Sequence, residues 1–321
     1  MSGSRITKQQ SLPKEGQYLY TFNHTEDEGA LCKMELKYLF NTVCEGKYFF
    51  SKDYVNTSRS PFIKNCIHIL YTGAALKDII DQIVFNKLQA QKYKVIYINA
   101  VQETVGFNER RKIDYEVGMS IIGIAEMTDP EITFGITKVD NEWIFGECES
   151  NNRDWLLHDY KPFSYSNALK VNVSRALVNI AVGNNLNCKV VDPCCGVGTV
   201  LIEALSMGID IKGYEINPNI GANAKENLQY FEYEDVITIC DMSTITDKFD
   251  VAIVDLPYGV FTKTTPEEQL SIIANTRKIA NRLVLIAFNN MDEQVVSSGF
   301  TIEDKFIISK GKFKRLVSIC R

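Results

Sequence analysis

No Cys-x-x-Cys pair occurs among the nine cysteines, so neither a thiolate zinc site nor a thioredoxin-type redox motif is written here. The three histidines, His24, His68 and His158, show no metal-ligand spacing. No apolar run approaches the roughly 20 residues that a membrane-spanning helix needs. The opening MSGSRITKQQ lacks the apolar centre of a signal peptide. An excess of positive charge is missing too: 35 Lys and Arg against 40 Asp and Glu leave a formal net charge of −5. Nucleic-acid binding through a generally basic surface is thereby disfavoured, and any RNA contact must use local basic patches. The cysteines are odd in number, and several sit in apolar runs, which fits buried reduced thiols. The expectation is a soluble cytoplasmic protein, without a metal site and without membrane contact.

What is present is ordinary globular composition, 45% hydrophobic and 23% charged over 321 residues, enough for two domains. Residues 1–16 are polar and read as a flexible terminus. Residues 17–155 read as an α+β domain. Strand-like YLYTF precedes a helix-like LCKMELKYLF, and a helical stretch from Leu76 precedes the strand KVIYINAV. DYEVGMSIIGIAEM reads as a helix stopping at Asp129-Pro130, followed by the strands ITFGITKV and EWIFGEC. Residues 156–321 change to regular alternation of strand and helix from KVVD to RLVLIAF, the mark of a parallel doubly wound α/β sheet. The runs FTIEDKFIIS and FKRLVSIC add an antiparallel hairpin at its edge.

The stretch VVDPCCGVGT, Val190 to Thr199, lies between a strand and a helix. Gly196 and Gly198 would let the backbone turn sharply and approach a ligand, with free N–H donors at the helix start. A dinucleotide G-x-G-x-x-G is absent and no Walker lysine follows, so phosphate binding is disfavoured. The next strands end in acids. Glu215 follows the loop at the distance where an acid grips ribose hydroxyls, and Asp241 stands where a carboxylate meets an adenine amine. Each acid alone is an ordinary loop-end residue; three successive strand ends carrying acids, Asp192 included, point to a site.

Strand FDVAIVD runs into Asp255-Leu256-Pro257-Tyr258-Gly259. An amine conjugated with a ring is a poor nucleophile because its lone pair is delocalised. Acceptors for its two hydrogens, the Asp255 carboxylate and a Leu256 or Pro257 carbonyl, would favour a pyramidal nitrogen. Proline fixes the turn that aims the carbonyl. Tyr258 offers a face on which a base can stack.

Together these residues resemble the THUMP-linked RNA methylases, Rossmann-fold enzymes that form N2-methylguanosine in tRNA. The likeness runs from about Lys161 to Arg321. It includes KPFSYSNALKVNVSRALVNIA, with Arg175, Ala176, Leu177 and Asn179 on the family pattern, then DPCCGVGTVLIEA, YEINP and DLPYG. It implies that Asp192, Pro193, Cys194, Gly196, Gly198, Thr199, Glu215 and Asp241 bind S-adenosylmethionine. It implies equally that Asp255, Leu256, Pro257 and Tyr258 hold the target amine and base. Leucine replaces proline at the second position of the catalytic loop, and Glu215 stands where aspartate is more common. In the amino-terminal half, ERRKIDYEVGMSIIGIAEMTDPEITFGIT is similar to a THUMP core, which implies an RNA-binding domain and tRNA as partner.

Three other readings compete. A DNA adenine-N6 or cytosine-N4 methyltransferase shares a similar loop, but would bring a basic DNA cleft where only Arg110-Arg111-Lys112 is seen. A protein-glutamine methyltransferase would carry asparagine at Asp255. A non-catalytic RNA-binding protein with a methyltransferase shell would have lost the loop acid or the glycines. Lys310, Lys312, Lys314 and Arg315 could meet phosphate or line a solvated hairpin equally well.

Overall fold

The computed structural model describes residues 18–100, 105–166, 168–257, 264–310 and 313–321. Chain contacts divide these into two units. The first comprises residues up to Asn23, Cys44–Thr57 and Ile63–Asn151, and the second His24–Val43, Ser58–Phe62 and Asn152–Arg321. The flexible terminus expected at 1–16 lies outside the described residues.

The first unit is built on a mixed sheet of β1 (Tyr18–Phe22), β2 (Tyr48–Ser51), β3 (Ile63–Gly73), β4 (Gln89–Tyr97), β5 (Ile122–Ala125), β6 (Ile132–Val139) and β7 (Glu142–Ser150). Their order is β2-β1-β3-β7-β6-β4-β5. Helices α2 (Leu76–Phe85) and α3 (Phe107–Gly118) bury Ile79, Ile83, Ile113 and Val117 against Tyr93, Val95, Phe134 and Phe145. The helix expected across Asp114–Met127 is corrected: it ends at Gly118, and Ile122–Ala125 form β5, parallel to β4. Two isoleucines flanking Gly123 favour extended backbone, and the Ile122 N–H donates to the Leu88 carbonyl at 2.9 Å.

The second unit is a doubly wound α/β sandwich. Its strands are β8 (Val190–Asp192), β9 (Ile211–Glu215), β10 (Ile237–Ile239), β11 (Phe249–Asp255), β12 (Ala280–Ala287), β13 (Ile302–Lys310) and β14 (Phe313–Cys320). The order β10-β9-β8-β11-β12-β14-β13 reverses direction between β8 and β11. The first five strands in that row are parallel, and β14 is antiparallel to both neighbours. The terminal hairpin is thus not appended at the edge as a pair: β14 inserts beside β12, and β13 becomes the edge. Continuous apolar runs such as VAIVD and LVLIA suit strands covered on both faces.

Helix α1 (Gly29–Phe40) precedes the first unit's long strand in sequence, yet it packs on α4 (Val171–Val182) in the second unit. Nearly every position of α4 is buried. Polar pins hold the two helices together. Buried Glu35 accepts from the Ser60 hydroxyl at 2.5 Å and from Asn179 Nδ2 at 2.7 Å, and Arg59 donates to Asn179 at 3.0 Å. Beside them, the carboxylate of Glu203 on α5 (Thr199–Ser206) accepts from Arg175 at 2.8 Å and from His158 Nδ1 at 2.5 Å. All three are buried, so the charge is compensated where water cannot reach it. Among the described residues no helix is long and apolar enough to cross a membrane.

Candidate active site

The reversal of strand order between β8 and β11 opens a crevice at the carboxyl ends of those strands, the position where such sheets bind ligands. Asp192 ends β8 and Asp255 ends β11, the two strands on either side of the reversal. Glu215 ends β9, the other neighbour of β8, and Asp241 follows β10. The predicted acids are thereby brought along one sheet edge.

The loop after β8 is shaped by its glycines. Gly196 has φ 55° and Gly198 φ 80°, the left-handed region in which a side chain costs strain. The Gly198 position caps α5, and a Cβ there would meet only ordinary contacts, so the conformation rather than space requires glycine. Asp192 accepts from the Cys194 N–H at 3.1 Å, and Glu215 accepts from Gly196 N–H at 3.0 Å and Asn217 N–H at 2.8 Å. Pro193 is buried under this turn, and Thr199 is buried with its Oγ1 lacking a hydrogen-bond partner among the described residues. Asp241 is exposed and accepts from Ser243 N–H at 2.8 Å, which holds its carboxyl below the usual carboxylate range.

Carboxyl groups crowd the crevice. Burial pushes the Asp192 carboxyl up to about 8, and the nearby Asp255 and Glu215 carboxylates push the same way. Burial first, and then the Asp192 and Glu215 carboxyl groups, raise the thiols of Cys194 and Cys195 well above the ordinary range. Both therefore stay protonated at neutral pH.

Burial likewise pushes Asp255 up to about 7, opposed by Arg315. Arg315 on β14 donates to Asp255 Oδ2 at 3.0 Å. Oδ1 is covered and has no hydrogen-bond partner among the described residues. An unsatisfied buried acceptor costs about 1–3 kcal/mol, the kind of cost retained where a ligand completes the bonding. Leu256 is 1% exposed and joins the core with Val254 and Leu285. A leucine at this position anchors the loop by its side chain, while its N–H donates to the Ile286 carbonyl at 2.9 Å. The Pro257 carbonyl receives Gln269 Nε2 from the helix Pro266–Ile279 at 3.4 Å, a long bond that leaves a lone pair. Tyr258 lies outside the described residues.

Sequence reasoning missed the Arg315–Asp255 pair and the His158–Glu203–Arg175 cluster. Neither has a local signal, because each partner lies on a different element. Arg315 was legible only as one cation in a basic terminal run.

Residues 158–283 match the family UPF0020, described as RMKL-like, methyltransferase domain. The chain is 30% identical over 111 residues to a tRNA (guanine(10)-N2)-dimethyltransferase of Methanothermobacter thermautotrophicus, covering 34% of this chain and 33% of that protein. It is 34% identical over 110 residues to the protein of the same description in Pyrococcus abyssi, covering 32% of each. The chain thus spans about a third of the length of these curated relatives. Among solved structures, TrmN from Thermus thermophilus is similar at TM-score 0.47 and 13% identity, over 95% of this chain and 99% of that one.

Proposed function

We propose that the protein transfers a methyl group from S-adenosylmethionine to the exocyclic N2 amine of a guanosine in tRNA. The observation that carries this reading is the pairing at one sheet edge of an acid-lined crevice with Asp255, whose Oδ1 lacks a partner among the described residues. The relatives described as tRNA guanine-N2 dimethyltransferases support guanosine and tRNA.

The crevice fits the cofactor by charge. Asp192 is held protonated by burial and by neighbouring carboxylates, and a ligand bearing ammonium and sulfonium charges would favour its ionised form. Asp192, with the turn of Pro193, Cys194, Gly196, Gly198 and Thr199, would face the methionine part. Glu215 would take the ribose hydroxyls and Asp241 the adenine amine. When bound, the cofactor supplies an electrophilic methyl group: the N–C bond forms as the C–S bond breaks, and sulfur keeps the electron pair.

The remaining work belongs to the loop after β11. Asp255 Oδ1 and the Pro257 carbonyl accept the two hydrogens of the amine, which localises the lone pair on nitrogen. The proton released after transfer passes to Asp255 and then to water. Tyr258 would stack on the base. Positioning supplies most of the rate, since the methyl donor is already activated. The amino-terminal region, 17–155, is proposed as a THUMP-like RNA-binding domain, with Arg110, Arg111 and Lys112 on α3 as local cations. A tRNA substrate agrees with a cytoplasmic location.

Substrate choice tests the reading. Purified protein is incubated with labelled S-adenosylmethionine and, in parallel, unmodified tRNA, ribosomal RNA and duplex DNA, and the products are digested to nucleosides. Label in N2-methylguanosine from tRNA is expected; label only in adenine or cytosine of DNA would overturn the substrate.

A further inference from the structure

We infer that Arg315 is the positioning residue of the methyl-transfer carboxylate: from β14 it fixes Oδ2 of Asp255, so that Oδ1 is the oxygen left to receive the substrate amine. The inference rests on the function proposed above and deepens it.

Sheet register explains how a residue two strands away reaches the loop. Asp255 is level with Ile286 on β12, and Ile286 with Val317 on β14. Arg315 lies two positions from Val317, on the same face of the sheet. It stands just beyond Leu316, which pairs with Ala287 at the end of β12. Its side chain therefore passes over the end of β12 to meet Asp255 at 3.0 Å. The side chain is only 8% exposed, and its guanidinium lies over the Phe288 ring with 5.5 Å to the centroid. A planar guanidinium held by an aromatic face and a carboxylate is fixed in orientation. Arg315 also forms part of the wall of a recess with Leu169, Lys170, Val173 and Ile308.

The chemistry needs this arrangement. A protonated Asp255 would present an O–H to an amine that already has hydrogens to donate, and the acceptor would be lost. The groups facing Asp255 are Asp192 on β8, Cys194 in the loop after it, and Arg315 on β14. The first is a carboxyl and the second a thiol, so among the described residues Arg315 is the cation that opposes the effect of burial and draws the Asp255 titration down toward neutral pH. Once Oδ2 is engaged, rotation of the carboxylate is blocked and Oδ1 stays the free acceptor.

Arg315→Gln and Arg315→Lys separate this role from a structural one. In Arg315→Gln, kcat on unmodified tRNA should fall by about 10²-fold, with KM for the cofactor within a few-fold. The acid limb of the kcat–pH profile should rise by about 1–3 pH units. Arg315→Lys, which keeps the charge but not the fork, should restore the acid limb and only part of kcat. Carbon-13 NMR of labelled aspartate carboxyls, with Asp255 assigned by its loss in Asp255→Asn, reads the pair without turnover. The Asp255 titration should move to higher pH in Arg315→Gln. An unchanged titration, or an acid limb and kcat equal to wild type, would overturn the inference. If the wild-type protein methylates no tRNA guanosine, the proposed function fails, while the carboxyl titration still decides whether Arg315 governs Asp255.

Discussion

The backbone N–H of Gly196 donates to the carboxylate of Glu215 at 3.0 Å, tying the glycine turn after β8 to the end of β9. One acid thus shapes the loop and faces the crevice. Glu215→Ala should remove the acceptor for both Gly196 and Asn217 and lower cofactor affinity by about tenfold, since a hydrogen bond to a charged group is worth about 1.5–3 kcal/mol. Glu215→Gln, which keeps one acceptor oxygen, should lie between. Titration calorimetry with S-adenosylmethionine measures both, and equal affinity in Glu215→Ala and wild type would exclude the residue from the site.

Asp192 links cofactor binding to pH. Its folded value of about 8 lies above the ordinary carboxylate value of about 4, so below pH 8 a cationic ligand must displace a proton. Affinity should therefore rise with pH and level off near 8. The same shift destabilises the free protein as pH rises, because the folded state prefers the proton: the loss grows between about 4 and 8. Asp192→Asn should abolish cofactor binding yet raise Tm at pH 8, with the gain shrinking toward pH 4. A gain of equal size at every pH would point to some other cause.

Gly198→Ala tests the left-handed turn. With φ at 80° and only ordinary contacts around a Cβ, the substitution carries conformational strain of roughly 1–2 kcal/mol rather than a clash. A modest drop in Tm and a larger drop in cofactor affinity are expected. A Tm loss without any change in affinity would separate the turn from ligand binding.

The buried Glu203 cluster should matter for stability and not for chemistry. Glu203→Leu leaves Arg175 without its carboxylate partner in a buried setting and should cost about 3–5 kcal/mol in denaturant unfolding. Cofactor affinity in the folded fraction should be unchanged.

Much of this was legible in the sequence, and the reason is local. The glycine turn, the acids at strand ends and the Asp255 loop each lie within a few residues of a strand whose apolar run is unmistakable, and the apolar run VNVSRALVNIAV forms α4. The failures are long-range. The long strand β3 has Asn65, Cys66 and His68 among its apolar residues, so no clean alternation announces it. Pattern along the chain places α1 with the amino-terminal half, but its partner α4 lies more than 130 residues away in sequence. The insertion of β14 next to β12 is likewise invisible, because two adjacent strands form the same hairpin whichever of them pairs with the sheet.

The central claim is that Asp255 receives the amine of a tRNA guanosine, and its most direct test is methyl transfer by Asp255→Ala beside wild type at saturating S-adenosylmethionine. The account predicts N2-methylguanosine from wild type, and from the variant a loss of at least about 10²–10³-fold with cofactor affinity within a few-fold. Comparable N2-methylguanosine from both proteins would contradict it.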